Sequence, residues 1–512
     1  YGIFTDPEWA ISAPVLDKPN VDREATRLIQ RAKETVGSEQ STQLDTLDSA
    51  EDSFVDLSHD ELALRLGTYW GWNERARYVA AWGKWLFWDG SRWEVDETRR
   101  HMTDIRGYLR AAASEYVQLK RQQVAGLSSQ GEAEKVIKAA RNEAKQLKQH
   151  GTRQSVEATA QSNPELAMRA TSFDAYLDLL GTPGGTVDLR TGELRDAQQE
   201  DYITKHVNVT PVQQHPKDWL RFLFTSLQGD EEMIGFLQRL AGYMLTGHTC
   251  EHKLPFVFGP GGNGKSVFAN TLHSIMSEYA TRAPAETFLS SPNDRHPTEL
   301  AHLQGARLVI GSELPAGRSW NESVIKDLTG GDPISARFMR QDYFTFTPQF
   351  TLLVVGNHQP KIGAVDDAMR RRLLLIPFTA DIPPDEKNTN LEADLVQEHG
   401  AILQWMIEGA VQWRQHGLGV PESVTVATED YLEAEDTLGQ FIEEELIADV
   451  QSDVSSKQVH DRYKTWCEEN GSRPMAGQAF VQALRERGIE HKKKKAGKFF
   501  LYYRLKPRSE DF

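Results

Sequence analysis

One short pattern constrains this chain more than any other: Gly259-x-x-x-x-Gly264-Lys265-Ser266, directly after the apolar run Leu254 to Phe258. An apolar run followed by glycines and then helix-compatible residues predicts a strand, a loop and a helix. The backbone N–H groups of such a loop bind phosphates, the lysine neutralises their charge, and the serine hydroxyl can hold Mg²⁺. We therefore predict a site for ATP or a related nucleoside triphosphate. Its predicted binding residues are Gly259, Pro260, Gly261, Gly262, Asn263, Gly264, Lys265, Ser266 and Val267.

A phosphate loop of this kind needs a carboxylate at the end of a neighbouring strand. The run Arg307 to Gly311 has the pattern of a buried strand, and Glu313 lies just beyond it. Ser312 precedes this residue, so only one acid is present. We expect Glu313 mainly to orient the attacking water, and Ser266 to hold Mg²⁺ together with waters. Ser266 and Glu313 are thus the candidate metal ligands.

Two further strands end or begin at polar residues. Asn357 follows an apolar run, where its amide could hydrogen-bond both the γ-phosphate and the attacking water; alternatively it caps a turn before Pro360. Arg370, Arg371 and Arg372 precede the next apolar run. An arginine there could stabilise transition-state charge on the ATP of a neighbouring subunit, or form a plain salt bridge between subunits. Spacing leaves the choice among the three arginines open.

A third pattern predicts a hairpin from two β-prone runs, Ile334 to Arg340 and Tyr343 to Thr347, around a polar tip. If this hairpin projects into the channel of a ring, Arg337 and Arg340 could bind DNA phosphates. Lys326, on the preceding helix, could contact either DNA or a neighbouring nucleotide. An ordinary surface hairpin explains the same pattern.

The carboxy-terminal region combines two helical stretches with a basic turn between β-rich segments, in the order of a winged helix. A basic wing could contact the DNA backbone, while a solvated charged surface is the other interpretation. The candidate DNA-binding residues of the wing are Lys492, Lys493, Lys494 and Lys495.

Overall charge and cysteine content limit the class of protein. A formal net charge of −16 argues against a protein that coats nucleic acid with its whole surface, yet it permits a few basic loops inside a ring. Two cysteines, Cys250 and Cys467, favour a reducing cytoplasm over a disulfide scaffold. No apolar run approaches the roughly 18 residues that a membrane span needs. The stretch His248 to His252 lacks a second ligand pair, which disfavours zinc.

At 512 residues the chain is too long for one ordinary core. Four tryptophans surround the turn signal Asp89-Gly90 and predict a hairpin whose rings either form a small core or stack on bases. Long amphipathic helices are expected from Thr103 to His150, a second hairpin from Leu179 to Leu194, and helices from Leu391 to His416. The predicted domains are an acidic arm (1–62), an amino-terminal α+β domain (63–215), the nucleotide-binding core (216–380), a helical subdomain (381–450) and a winged-helix-like domain (451–512).

The order of these motifs resembles the superfamily-3 helicases of the AAA+ class, specifically the phage and plasmid primase-helicases related to those of poxviruses. GPGGNGKS resembles their Walker A motif, RLVIGSEL their Walker B motif, and LLVVGNHQP their sensor 1. In AMRRRLLLIPF, Arg371 and Arg372 fall on the usual arginine-finger pair, and the likeness runs from about Tyr78 to Leu446.

What the resemblance implies is an α/β AAA+ P-loop core, a parallel sheet flanked by helices, with an α+β helicase-associated domain before it. It also implies a homo-oligomeric ring, expected to be a hexamer, that hydrolyses ATP with Mg²⁺ and translocates on single-stranded and forked DNA. Because the sequence begins at Tyr1 without a methionine, a primase or polymerase module could lie upstream or act in trans.

Two rival functions share the phosphate loop. A non-helicase loader or remodeller would lack the hairpin block that follows TGGD, and that block is present. An origin-binding initiator would use ATP only to switch conformation. Repeated ATP hydrolysis, rather than such a switch, is favoured by Glu313, Asn357 and the arginine cluster. A strand-displacement assay distinguishes a helicase from an initiator.

We predict that Glu313→Gln leaves ATP binding intact and lowers hydrolysis by about 10²–10⁴-fold, the typical loss when a positioned base is removed. Nucleotide binding and steady-state hydrolysis measured on the same preparation check this. Weak ATP binding together with intact turnover would contradict the role of Glu313.

Overall fold

The computed structural model describes residues 56–507, except 126, 291–297, 313–317, 341, 361, 363–366, 384–386 and 473. The described chain divides into two compact units, one formed by residues 56–89 and 93–173 and the other by 90–92 and 174–507. Nearly all of the predicted acidic arm, 1–62, lies outside the described residues. The boundaries between the five predicted domains remain predictions.

The first unit contains the predicted tryptophan hairpin. Its antiparallel sheet pairs Trp88 with Trp93 across the turn. Trp85 and Trp93 are buried in the core, where Trp85 packs against Trp72 with ring centroids 4.9 Å apart, whereas Trp82 is 41% exposed. The core interpretation is therefore confirmed for the two buried rings. The strands are β1 (Ala76–Val79), β2 (Lys84–Trp88) and β3 (Trp93–Val95).

Helices complete the first unit, and the predicted long helices between Thr103 and His150 are confirmed as α3 and α4. Their buried side chains recur at helical spacing on one face of each helix, which packs against the core. The helices are α1 (His59–Thr68), α2 (Trp72–Arg75), α3 (Arg100–Val124), α4 (Gln130–Leu147) and α5 (His150–Ala160).

The second unit is built around a five-stranded sheet whose strand pairs are all parallel. Its central strands are continuous apolar runs, as expected when helices cover both faces of a sheet. The predicted α/β fold with a parallel sheet flanked by helices is confirmed. In spatial order the strands are β13 (Leu373–Pro377), β7 (Leu254–Phe258), β12 (Thr351–Gly356), β9 (Leu308–Ser312) and β8 (Ala280–Pro284).

Helices of this unit share one large core with the sheet. The region from Leu391 to His416, predicted to be helical, forms two helices that are separated by Gln397 and Glu398. The helices are α6 (Lys217–Ser226), α7 (Glu231–Leu245), α8 (Lys265–Met276), α9 (Thr298–Ala301), α10 (Glu322–Gly330), α11 (Asp367–Arg370), α12 (Leu391–Val396), α13 (His399–His416) and α14 (Glu422–Glu435).

Two small sheets differ from the prediction in extent. The expected second hairpin is a three-stranded meander, because Glu193–Arg195 adds a third strand that pairs with the second. The hairpin predicted between Ile334 and Thr347 is present with shorter strands, since only three residues pair on each side. These strands are β4 (Leu179–Thr182), β5 (Gly185–Asp188), β6 (Glu193–Arg195), β10 (Ile334–Ala336) and β11 (Phe344–Phe346).

The carboxy-terminal region has the predicted order of two helices followed by a basic antiparallel pair. A long strand before them, β14, was not predicted; it pairs with the last strand and closes a three-stranded sheet. Its elements are α15 (Thr437–Glu445), β14 (Leu446–Ser455), α16 (Ser456–Glu469), α17 (Gly477–Glu486), β15 (His491–Lys494) and β16 (Gly497–Leu505). None of the helices in the described part of the chain combines the length and the apolar character that a bilayer span requires.

Helices α7 and α13 cross so closely that backbone touches backbone. A Cβ on Gly242 would lie 2.0 Å from the amide nitrogen of Ala410, and a Cβ on Gly409 would lie 2.0 Å from the carbonyl oxygen of Gln238. Only glycine permits this approach, because real Cβ atoms do not come that near to backbone atoms.

Gly242→Ala is therefore expected to lower the free energy of unfolding by about 1–3 kcal/mol, because the helices must separate. Gly235→Ala in the same helix is the matched control: its Cβ would meet only the end of the flexible Arg239 side chain, at 3.4 Å. That change should stabilise the helix by about 0.5–1 kcal/mol. Denaturant unfolding of both variants tests this, and equal effects at the two positions would refute it.

Candidate active site

The predicted phosphate loop lies between β7 and α8. Gly259 opens it with φ of 146°, and a Cβ there would lie 1.9 Å from the carbonyl oxygen of Phe378. The loop therefore folds tightly against the end of β13, and a side chain at this position would displace it. Helix α8 begins at Lys265, so its first N–H groups face the loop.

Lys265 is the buried cation of the loop, with only 5% of its surface exposed. Its Nζ donates to the carbonyl oxygens of Gly259 (2.8 Å) and Pro260 (2.6 Å) and to Oδ1 of Asn263 (2.9 Å). Burial lowers the pKa of Lys265 below its usual value. Asn263 also donates its amide to the carbonyl oxygen of Phe378, so one side chain joins the lysine to the neighbouring strand.

A cavity of about 910 Å³ opens above the loop. Loop residues from Gly261 to Val267 line the cavity, and Ser266, the candidate ligand for a divalent ion, is one of them. The apolar part of the cavity wall is formed by Phe222, Ile382 and Leu391. A polar, cationic floor with an apolar wall fits a nucleoside triphosphate, whose phosphates and base require these two environments. The residues present therefore fit ATP with Mg²⁺, and Ser266 would hold the ion.

Helix α6, which forms one wall of this cavity, is fixed by a distant carboxylate. The side chain of Glu398 accepts hydrogen bonds from the backbone N–H groups of Asp218 and Trp219, each at 3.0 Å. A carboxylate at a helix amino terminus is favourable because it satisfies free N–H groups and faces the positive end of the helix. The segment after β13 thus orients the helix that borders the nucleotide site.

Sequence reasoning missed several polar residues of this cavity. Lys387 is exposed, and its Nζ lies 2.7 Å from the place that a Cβ on Gly262 would occupy. Asn388 lines the cavity and donates to Asp394 at 2.7 Å. No sequence motif marks these residues. Lys387 lies beside the phosphate loop because the chain returns towards the loop after β13.

Asn357 lies where the sequence predicted it, at the end of β12, and its side chain lines the cavity. Strand β12 pairs in parallel with β7 on one side and β9 on the other. Ser312, the last residue of β9, therefore ends at the same edge of the sheet. Glu313, which follows it, lies outside the described residues, so its predicted role is not tested.

The arginine cluster lies at the opposite edge of the sheet. Leu373, the first residue of β13, pairs with Leu254 at the start of β7, whereas the phosphate loop follows the end of β7. At about 3.3 Å per residue this places the arginines at least about 13 Å from the loop of their own subunit. The structure therefore does not bring Arg371 and Arg372 together with Lys265.

Two of these arginines have different surroundings. Arg372 is half-buried: its Nε donates to Oγ1 of Thr329 at 3.0 Å, and its guanidinium also donates to the carbonyl oxygen of Ala368 at 2.9 Å. Arg371 is exposed, and its hydrogen bonds within the described residues involve its backbone, including one from Lys253 Nζ to its carbonyl oxygen at 2.7 Å. Arg370 is exposed as well, so two of the three arginines present their side chains to solvent.

The hairpin carries its cations at the tip, beyond the paired residues. The guanidinium of Arg337 lies over the ring of Tyr343, 4.9 Å from its centroid. Arg340 is exposed and adopts φ of 63°, a left-handed conformation that favours glycine. Lys326 lies on α10 and is half-buried. The DNA contacts of these three residues remain predictions.

In the carboxy-terminal sheet, β15 and β16 form the predicted wing, with Lys493 opposite Lys498. The ammonium of Lys494 is paired with Asp453. Lys492, Lys493 and Lys495 are exposed. Three of the four candidate wing lysines therefore present charge to solvent, and the fourth is partly neutralised within the fold.

Known domain families match three parts of the chain. Residues 63–227 match a domain described as D5 N terminal like, and residues 433–504 match one described as Poxvirus D5 protein-like. Residues 257–372, which contain the phosphate loop, match a family of unknown function. The predicted likeness to primase-helicases related to those of poxviruses is confirmed. The match over residues 433–504 extends past Leu446, where the likeness in sequence motifs ended.

Similar proteins come from viruses, and each carries a provisional helicase name. A protein of Acanthamoeba polyphaga mimivirus is 27% identical over 57% of this chain and 33% of its own length. A protein of Invertebrate iridescent virus 6 is 24% identical over 65% of this chain and 37% of its own length. A protein of Frog virus 3 is 23% identical over 56% of this chain and 33% of its own length. The chain thus spans about a third of the length of these relatives.

Among solved structures, the C-terminal region of NrS-1 aligns with 86% of this chain and 98% of its own chain. The identity is 9% and the TM-score is 0.47.

Proposed function

We propose that this chain is an ATP-dependent DNA helicase that translocates on single-stranded DNA as a ring of identical subunits, most simply a hexamer. One observation carries the proposal: a single parallel sheet has Lys265 and Asn357 at one edge and the exposed Arg371 at the other. Subunits arranged head to tail would bring the arginine of one to the cavity of the next. The setting we propose is replication of a phage, plasmid or other mobile element in the host cytoplasm.

In the proposed reaction, Lys265 exchanges the carbonyl oxygens of its own loop for phosphate oxygens, which carry full negative charge and bind a cation more strongly. Ser266 would hold Mg²⁺, which when bound would neutralise charge on the phosphates. Asn357 hydrogen-bonds the γ-phosphate and the attacking water, and Glu313 orients that water. Lys387, exposed beside the loop, adds a second cation to the phosphate site.

We assign the arginine finger to Arg371 and a supporting role to Arg372. A finger must be able to leave its own subunit, and the exposed side chains of Arg370 and Arg371 both meet that requirement. Of these two, only Arg371 falls on the arginine-finger pair of the helicases that the sequence resembles. Arg372 is bound to Thr329 and Ala368, so reaching a neighbour would require breaking two hydrogen bonds. Its contacts instead fix the segment from which Arg371 projects.

Mixing two inactive variants tests this arrangement. Lys265→Ala and Arg371→Ala should each hydrolyse ATP poorly, the second by about 10³-fold or more, as expected for loss of a finger arginine. In a random equal mixture an intact loop meets an intact arginine at about one interface in four, so about a quarter of the parental activity should return. Steady-state hydrolysis of the premixed and assembled subunits is the measurement.

The matched control combines both changes in one chain, Lys265→Ala with Arg371→Ala, mixed with Arg371→Ala subunits. That mixture contains no intact arginine and should stay inactive. Absence of recovery in the first mixture, with assembly verified by light scattering, would show that Arg371 does not act on a neighbouring site.

For DNA, we propose that Arg340 binds a backbone phosphate at the tip of the hairpin. Its left-handed backbone gives the side chain no structural advantage, because glycine would adopt the same turn at lower energy. The positive charge of Arg340 is therefore better explained by a contact with another molecule than by a structural role in the turn. An exposed guanidinium suits phosphate because it offers several N–H donors in a plane.

Arg340→Gly is accordingly a sharper test than alanine, because it removes the charge and relieves the backbone together. We expect the melting temperature to stay the same or rise, while strand displacement on a tailed duplex fails. The slope of the logarithm of single-strand affinity against the logarithm of salt should become shallower by about 0.7 for each engaged subunit.

Arg340→Lys is the control for this variant, since it keeps the charge and should retain most of the single-strand affinity. A glycine variant that displaces strands as well as the parent would exclude Arg340 from the DNA contact and remove the support that the hairpin gives to translocation.

The exposed wing lysines favour a second candidate function, an ATP-switched initiator that binds an origin without processive unwinding. Its basic wing would lie on duplex backbone, where contacts are independent of sequence. The two functions differ in one measurable property: only a translocating ring displaces a strand at every turnover cycle. Failure of the parental protein to displace strands, with ATP hydrolysis intact, would favour the initiator.

A further inference from the structure

The tip of the hairpin exposes two large apolar side chains. Met339 is 68% exposed and Tyr343 is 60% exposed, and both lie in the seven-residue tip between β10 and β11. Single exposed apolar residues are common on protein surfaces, but two on one projecting turn among arginines are characteristic of a binding surface.

Tyr343 is held in place from one side. Arg337 lies over its ring at 4.9 Å, which is the distance of a cation–π contact. Because the guanidinium covers one face of the ring, the exposed surface of Tyr343 lies mainly on its other face and its edge. The ring therefore presents a flat apolar face next to a fixed positive charge.

Aromatic packing at the point where the tip joins the strands stiffens the hairpin. Phe338 and Phe344 stack with ring centroids 5.5 Å apart and planes 23° apart. The ring of His302 meets Phe338 edge-on, with centroids 5.5 Å apart and an angle of 74°. Such packing lowers the freedom of the tip, so that Tyr343 loses less entropy when it contacts a ligand.

A ligand of the tip must complement the flat apolar face of the Tyr343 ring and the arginines next to it. The tip contains Arg337, Arg340 and the exposed acid Asp342, which together give it a net charge of +1. A nucleotide offers a flat base for the ring and a phosphate for the exposed arginine, which is how aromatic and basic residues together bind single strands. Bases within a duplex are stacked on each other and cannot reach the ring.

We propose that Tyr343 stacks on a base of single-stranded DNA, that Arg337 supports this ring, and that Arg340 alone of the two arginines binds phosphate. Met339 packs against the neighbouring base. This inference rests on the proposed function and deepens it, because it divides the hairpin contact into a base part and a phosphate part. It also revises the role that sequence suggested for Arg337.

The experiment compares two probes on the full chain: oligothymidylate, and an abasic oligodeoxynucleotide of the same length that keeps the sugar-phosphate backbone. Tyr343→Leu should weaken binding to oligothymidylate by about tenfold and leave binding to the abasic strand unchanged, because only the base contact is lost. Tyr343→Phe keeps the ring and should bind both probes like the parent. Arg340→Gly should weaken both probes alike.

Equal affinity of Tyr343→Leu and the parent for oligothymidylate would overturn the proposal, and melting temperatures of the variants verify that each is folded. Stronger binding of oligouridylate than of oligothymidylate would overturn the assignment to DNA. Strand displacement by the parental protein is scored separately: its failure, with the base-dependent loss intact, counts against the helicase alone.

Discussion

Parallel pairing of β12 with both β7 and β9 decides the position of the candidate catalytic groups. In a parallel sheet all strands end at the same edge, so the phosphate loop after β7 and Asn357 after β12 must lie side by side. For the same reason, residues that come just before a strand lie at the opposite edge of the sheet, away from the phosphate loop. Arg371, two residues before β13, is therefore excluded from its own phosphate loop by the sheet itself.

One side chain, that of Asn263, links the lysine of the phosphate loop to the residue after the neighbouring strand β13. Asn263 is almost fully buried, and it binds Lys265 through its oxygen and Phe378 through its nitrogen. The buried ammonium is thus compensated by carbonyl oxygens and an amide, as a charge inside a protein must be. Glu398 fixes the adjacent helix α6 at its amino terminus, so two independent contacts shape the same cavity.

A short physical route joins the far edge of the sheet to the hairpin. Arg372 donates to Thr329 in the last turn of α10, and the hairpin strand β10 begins at Ile334, a few residues later. The carbonyl oxygen of Thr329 is also hydrogen-bonded to the ring of His252, which precedes β7. The arginine segment and the residue before β7 therefore both contact the end of the helix that leads into the hairpin.

The sequence by itself determined the features that depend on neighbouring residues: the loop at Gly259 to Ser266, the apolar strands, the turn at Asp89-Gly90 and the hairpin near Arg340. Each is set by backbone preference or by apolar spacing over a few residues, which a sequence shows directly. Tertiary structure alone decided that Lys387 reaches the loop, that Arg372 is bound while Arg371 is exposed, and that Arg337 lies on Tyr343. It also added the strands β6 and β14. The reason is physical: these outcomes depend on the path of the chain between segments and on which side chains it brings together, and local patterns do not specify either.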